Sequence, residues 1–244
     1  MSQNGSQRRV LLKVSGNTLA GEGAVGFDRQ AIDFIARELG SVLEDSVQLA
    51  VVLGGGNIIR GAKFQPEGRG RVTADYAGML ATAINALVLR DHMEQCGIPV
   101  THYCAFALPR MAPPYEPAHC VADLEEGKIV LLAGGTGSPL FTTDTAAALR
   151  AVEIGAQTVL KATRVDGVYS DDPEQCSSAE LYERLTYQEV LERELGVMDL
   201  TAISFCLEHS LPVRVFNYAQ AGNIRDAAAG RPVGTLIGSA RACL

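Results

Sequence analysis

Short aliphatic runs alternate with helix-like segments along most of the chain. Val10-Leu-Leu-Lys-Val14, Gln48–Leu53, Pro99–Phe106, Lys128–Ala133, Thr158–Thr163, Pro212–Phe216 and Gly234–Ile237 are short and mostly apolar, with turn residues beside them. That pattern predicts strands buried on both faces. Between them, Ala31–Leu43 sets Ile32, Ile35, Leu39 and Leu43 at helical spacing, and Ala74–Cys96 does the same with Met79, Ala83, Ala86, Leu87 and Val88. Thr145–Ile154, Tyr187–Leu195, Leu200–Leu207 and Ala221–Ala229 read as further helices. Strands alternating with helices imply a mostly parallel, helix-covered sheet joined by right-handed crossovers. Gly21–Gly26 reads as a mobile glycine-rich loop, Phe64–Arg71 as a surface loop, and the proline-rich Leu108–Pro117 as an extended loop at an interface or over a site. Residues 1–7 read as a disordered tail before a single domain, 8–244.

The interruptions in this pattern carry the chemistry. Lys13 is a charge among aliphatics near the end of the first strand, and Lys161 repeats it in the fifth. Burying an ammonium is costly without an anion, so each points into a ligand crevice beyond the strand ends or snorkels from an edge. Gly54-Gly55-Gly56-Asn57 follows the second strand, with Arg60 close behind; it is either a plain turn or a phosphate cradle. Gly134–Asp144 runs from a strand into a helix, a geometry that aims free N–H groups at one point and suits an anion. The plainer reading is a capped turn with Thr143 or Asp144 as N-cap. Asp75, placed in the first turn of its helix, either favours the helix dipole or accepts hydrogen bonds from ribose hydroxyls. Asp166-Gly167 and Asp172-Pro173 mark turns around the flat face of Tyr169.

Composition narrows the choices. With 244 residues the chain can bury one large core. Its net charge of −7 repels a polyanion, which argues against nucleic acid as a partner. No apolar run in the sequence is expected to span a membrane, and Met1–Arg9 has no apolar segment of a secretory signal behind it. Cys96, Cys104, Cys120, Cys176, Cys206 and Cys243 are scattered without a Cys-x-x-Cys pair, as expected of reduced thiols in a cytoplasmic protein. His92, His102, His119 and His209 show no metal spacing or nucleophile partner, so no protein-held metal and no hydrolase triad is expected. A P-loop is missing, and so is a Gly-x-Gly-x-x-Gly turn after the first strand. Lysines, an arginine and glycine loops gathered on one sheet edge suit a phosphoryl-like transition state.

Taken in order, Lys13-Val-Ser-Gly16, Gly54-Gly-Gly-Asn-Ile-Ile-Arg-Gly61, Ala74-Asp75 with Gly78-Met-Leu-Ala-Thr82, Gly135–Asp144, Lys161-Ala-Thr-Arg-Val-Asp-Gly-Val-Tyr169 and Arg214-Val-Phe-Asn217 resemble the bacterial uridylate (UMP) kinases of the amino acid kinase superfamily. The resemblance runs from about Arg8 to Ile237. It implies a three-layer αβα sandwich around a mostly parallel sheet. The N-terminal half would bind mainly UMP, and the part from about residue 158 mainly ATP. The implied activity is transfer of the ATP γ-phosphoryl group to UMP in pyrimidine nucleotide biosynthesis, with Mg2+ held mainly by the nucleotide phosphates. It also implies a homohexamer activated by GTP and inhibited by UTP.

Carried over by position, Lys13, Asp144 and Lys161 would be catalytic. Lys13, Val14, Ser15, Gly16, Gly56, Arg60, Thr163, Tyr169 and Asp172 would bind ATP. Gly55, Asp75, Thr136, Gly137, Ser138, Pro139, Leu140, Phe141, Thr142 and Thr143 would bind UMP. Asn17 stands where the family usually has glutamate, Ser138 where it has asparagine, and Thr73-Ala74 where Val-Gly is common. The basic residues of the GTP site, around Arg90–Thr101 and Tyr115–Cys120, are only partly matched. A superfamily kinase acting on a carboxylate or carbamate, and a nucleotide-binding regulator without turnover, are the competing readings.

Overall fold

The computed structural model describes residues 7–23, 25–59, 70–173, 175–176 and 178–239. Residues 1–6 of the expected tail, Arg60, residues 64–69 of the expected surface loop, and Cys243 lie outside the described residues. In chain order the elements are β1 (Arg9–Val14), α1 (Arg29–Ser41), β2 (Gln48–Leu53), α2 (Arg71–Gln95), β3 (Val100–Cys104), α3 (Pro117–Glu125), β4 (Ile129–Ala133), α4 (Thr143–Glu153) and β5 (Val159–Thr163). They continue as β6 (Val168–Tyr169), β7 (Leu181–Tyr182), β8 (Arg184–Thr186), α5 (Tyr187–Glu192), α6 (Leu200–Glu208), β9 (Val213–Asn217), α7 (Asn223–Ala229) and β10 (Thr235–Gly238). Short 3-10 segments follow β1 (Gly16–Gly23) and α1 (Val42–Asp45).

Eight strands form one sheet in the order β3-β4-β2-β1-β5-β9-β10-β8. It is parallel except that β10 runs against β9, with β8 alongside β10 in the same sense. Strand alternation divides the core. Val10, Leu12 and Val14 face Ile35, Leu39, Leu89 and Ile224 from α1, α2 and α7. Leu11 faces the opposite way, toward Leu124, Ala147 and Ala151 from α3 and α4. Two helical layers therefore sandwich the sheet, the expected αβα arrangement. From β1 the chain goes to β2, then out to the edge strand β3, and returns as β4 to fill the place between them. It then crosses back through α4 to β5 on the other side of β1. That reversal opens a crevice beyond the C-terminal ends of β1 and β5, where α/β sheets bind ligands.

Several boundaries differ from the sequence reading. The proline run ends by starting a helix, α3, because Pro117 occupies a first-turn position that needs no N–H donor, and Cys120 and Leu124 bury its inner face. β6, β7 and β8 are too short to leave a periodic signal. The front of the glycine-rich loop is 3-10 structure kinked at Gly21, tied down where Asp28 N donates to Leu19 O and Gly26 N to Asn57 O. α2 begins at Arg71, so Asp75 sits in its second turn.

α2 is also long and apolar enough, by length and composition, to cross a membrane, with a window of mean hydropathy 1.4. No apolar run of that length is expected from the sequence, an expectation this helix corrects because the segment from Arg71 is continuous and mostly apolar. In the fold 44% of that window is buried in the protein. Its outer face carries Val72, Tyr76, Leu80 and Ile84, each about half exposed at every fourth position.

Candidate active site

β1 and β5 pair in parallel register with Lys13 directly beside Lys161. Both lysines share the side of the sheet to which Leu11 and Val159 turn, so two ammonium groups emerge next to each other. Asp144, in the first turn of α4, joins them. Lys13 Nζ lies 2.8 Å from its Oδ1 and Lys161 Nζ 2.7 Å from its Oδ2. Lys161 also donates to the Val197 carbonyl. All three side chains are largely buried. Burial pushes the Asp144 carboxyl up, but the attraction of Lys13 and Lys161 outweighs it and holds the group below the ordinary carboxylate value. Burial pushes the Lys161 ammonium down, and Asp144 only partly offsets it.

Asp144 is free for this role because Thr142, not Thr143 or Asp144, is the N-cap of α4. Its hydroxyl accepts from Asp144 N at 3.0 Å and Thr145 N at 3.3 Å. A carboxylate at the cap would have been committed to those backbone donors. The Thr142 and Thr145 hydroxyls donate in turn to Asp199, which caps α6 by accepting from Ala202 N at 3.0 Å. Asp199 escaped the sequence reading, although an aspartate immediately before an apolar helix is a cap signal. Asp199→Ala should lower stability by about 1–2 kcal/mol through the lost cap and stranded threonine hydroxyls, as read by urea unfolding. An unchanged midpoint would refute the tie between α4 and α6.

A cavity of about 150 Å3 opens beside this cluster, lined by Gly55, Gly56, Asp75, Thr136, Ser138, Phe141, Thr142 and Thr143 among others. Asp75 closes the loop over α2: it accepts from Arg71 Nε at 2.9 Å and from the Leu140 N–H at 2.8 Å. Gly137, Pro139 and Leu140 do not line the cavity. Leu140 takes part through its backbone, with φ +74° and its side chain exposed. Gly55 touches the helix as well as the cavity, since a Cβ there would lie 2.7 Å from Gly78 O.

The glycine turn has its own fixings. A Cβ on Gly16 would stand 2.4 Å from Asn57 Oδ1 and 2.7 Å from Gly54 O, so only glycine lets the turn after β1 meet the turn after β2. Buried Asn57 and Asn85 exchange amide hydrogen bonds of 3.0 and 2.7 Å, and Asn85 also donates to Gly54 O at 2.7 Å. From the sequence, Asn57 entered only as the end of the glycine run, and Asn85 was not singled out.

The residues assigned to ATP do not share one cavity. Ser15 and Thr163 line a space of about 270 Å3 with Asn17, Thr18, Arg164 and Tyr218. Tyr169 and Asp172 line a separate one of about 540 Å3 with Arg193, Gly196 and Val197, whose carbonyl takes the Lys161 proton donor. Gly56 joins the cavity of Gly55. The Val14 side chain is buried in the core beneath α1, leaving only its backbone near the crevice. Arg60 lies outside the described residues.

The sequence profile of the amino acid kinase family matches residues 8–217, from the start of the sheet through β9. The chain belongs to the amino acid kinase family. Within it, 232 residues are 50% identical to the uridylate kinase PUMPKIN, chloroplastic, of Arabidopsis thaliana, covering 95% of this chain and 68% of that protein. The fold is similar to the crystal structure of UMP kinase from Bacillus anthracis, with a TM-score of 0.91 and 36% identity over 96% of each chain. It is also similar to the UMP kinase from Ureaplasma parvum, with a TM-score of 0.89 and 30% identity over 96% of this chain and 99% of that one. Similarity therefore extends to a plant chloroplast protein as well as to bacterial ones, which supports the uridylate kinase resemblance without singling out its bacterial members.

Proposed function

We propose that the chain transfers the γ-phosphoryl group of ATP to UMP, giving UDP and ADP and supplying pyrimidine nucleotides. The observation that carries this is the Lys13–Asp144–Lys161 cluster at the sheet's reversal point, next to the Thr136–Thr143 loop. The 50% identity to a uridylate kinase supports the choice of acceptor. An oxygen of the UMP phosphate forms the new bond to the γ-phosphorus while the bond to the oxygen bridging toward ADP breaks. The acceptor brings its own anionic nucleophile, so no side-chain base is required. The protein's work is alignment and charge neutralisation. Lys13 and Lys161 supply fixed positive charge to the equatorial oxygens, and Asp144 holds the two ammonium groups side by side. The α4 N-terminus and the glycine turns add backbone donors.

Magnesium carried on the ATP phosphates suits the donor set. Asp75 is engaged by Arg71 and Leu140, and Asp199 by threonine hydroxyls, so the described residues near the crevice offer no all-protein oxygen cage. Mg2+ tolerates this because it keeps water and phosphate oxygens as most of its ligands. Asp144 is the carboxylate that would face it, and the bound ion would neutralise phosphate charge.

UMP should be preferred over CMP and dCMP by at least about 100-fold in kcat/KM with Mg·ATP. Equal turnover of the three would overturn the acceptor assignment. Turnover of aspartate or carbamate instead would favour the carboxylate reading, and nucleotide binding with no turnover at all the regulator.

The same reading brings a homohexamer regulated by GTP and UTP, in the cytoplasm. The half-exposed Val72, Tyr76, Leu80 and Ile84 stripe supports a subunit contact. The buried free thiols Cys104, Cys120 and Cys206 suit a reducing compartment. Leu80→Glu should shift the protein to smaller species in sedimentation velocity; an unchanged distribution would remove α2 from the interface.

A further inference from the structure

At the far end of α2, His92 and Cys96 stand four residues apart, the spacing that stacks two side chains on one helix face. α1 brings Asp33 beside them, although it lies 59 residues from His92 in sequence. The ligating atoms of all three fall within 4.8 Å of one another. His92 Nε2 and Asp33 Oδ1 are 3.4 Å apart. Among the described residues no other group of three such side chains converges in this way.

The frame around the three is fixed. Gly97 turns the chain with φ +71°, and Ile98 N donates to Met93 O at 2.9 Å, which ends α2 firmly. Ile98 then fills the space beside Gly40 of α1, where a Cβ would come within 2.9 Å of it, so the two helices meet closely at this point. Arg37 pairs with Oδ2 of Asp33 at 2.8 Å, which leaves Oδ1 turned toward the imidazole. Cys96 is exposed, so an ion can reach it from solvent.

We propose that Asp33, His92 and Cys96 hold one divalent cation of the zinc class, with water as the fourth ligand. Thiolate and imidazole together select a borderline-soft ion such as Zn2+ or Co2+ and disfavour Mg2+, which requires oxygen donors. On binding, the Cys96 thiol releases its proton to water, and the sulfur and the Nε2 lone pair form bonds to the metal. With Asp75 and His92 on one helix, its rise per residue puts this site about 25 Å from the acceptor cavity. The ion would staple α1 to α2 and take no part in phosphoryl transfer. The sequence reading found no metal spacing among the histidines; the pair His92 and Cys96 gains its third ligand only through folding.

Cobalt is the probe. The full-length, nucleotide-free protein, reduced with a phosphine, should bind one equivalent of Co2+ with a thiolate-to-cobalt charge-transfer band in the near ultraviolet. Excess Zn2+ should abolish the band and excess Mg2+ leave it in place. Cys96→Ser should remove the band, and His92→Gln and Asp33→Asn should each weaken cobalt binding by about tenfold or more. UMP phosphorylation without added cobalt or zinc should be unchanged in Cys96→Ser. No charge-transfer band at saturating cobalt would overturn the proposal. So would a band that survives in Cys96→Ser, or full affinity in both of the other variants.

Discussion

Asp144→Asn should lower kcat by about 10³-fold, because it removes the group that holds the two ammonium groups of the proposed reaction centre in place. It should also lower stability by about 3–5 kcal/mol, the usual consequence of stranding buried charge by deleting one partner. The neutral amide keeps the shape but offers no counter-charge to two ammonium groups in neighbouring strands. Urea unfolding and initial rates read the two effects separately. A variant with near-native turnover would eliminate the cluster as the reaction centre.

Acid adds a distinct signature. The Asp144 carboxyl titrates below its unfolded value, so its ionisation contributes stability that is fully present above the ordinary carboxylate range. That contribution is lost as the pH falls through the lowered folded value. The thermal midpoint of the asparagine variant should therefore fall less steeply on acidification than that of the native chain. Parallel curves would mean that Asp144 ionisation is not linked to folding.

Lys13→Ala should lower kcat by about 10²–10³-fold with a much smaller effect on stability. Asp144 keeps Lys161 as a partner in this variant, so no buried carboxylate is left alone. The loss should appear in kcat more than in the KM for UMP, since the charge is needed most as the phosphoryl group transfers. Combining Lys13→Ala with Asp144→Asn should cost less than the sum of the two, as expected for groups in direct contact. Near-full activity in Lys13→Ala would refute its role.

Much of this could be read from the chain because the signals are local. Aliphatic runs marked the central strands, and Lys13 and Lys161 stood out as charges where none belonged. What sequence could not supply was register: that the two lysines are neighbours follows from the pairing of β1 with β5, across a crossover of more than a hundred residues. The cap at Thr142 was missed by one or two positions, because several adjacent threonine and aspartate residues are each competent caps and only the packing of α4 chooses among them. Asp199 and the Asn57–Asn85 pair act across long sequence separations that local pattern does not report. The ATP residues read as one group divide among three cavities, because the turns after β1 and β2, the end of β5 and the β6 segment each open onto a different space.

The abutting lysines also guard the fold against misassembly. Were β5 to dock against β1 one residue out of step, Lys161 would turn to the opposite side of the sheet, into the space that Leu160 and Ala162 fill beneath the α7 layer. An unpartnered ammonium there would make the slipped pairing far less stable than the native one. The charge proposed for catalysis would thus double as a proofreading mark, admitting a single alignment of two strands that pure aliphatic sequence would leave free to slide.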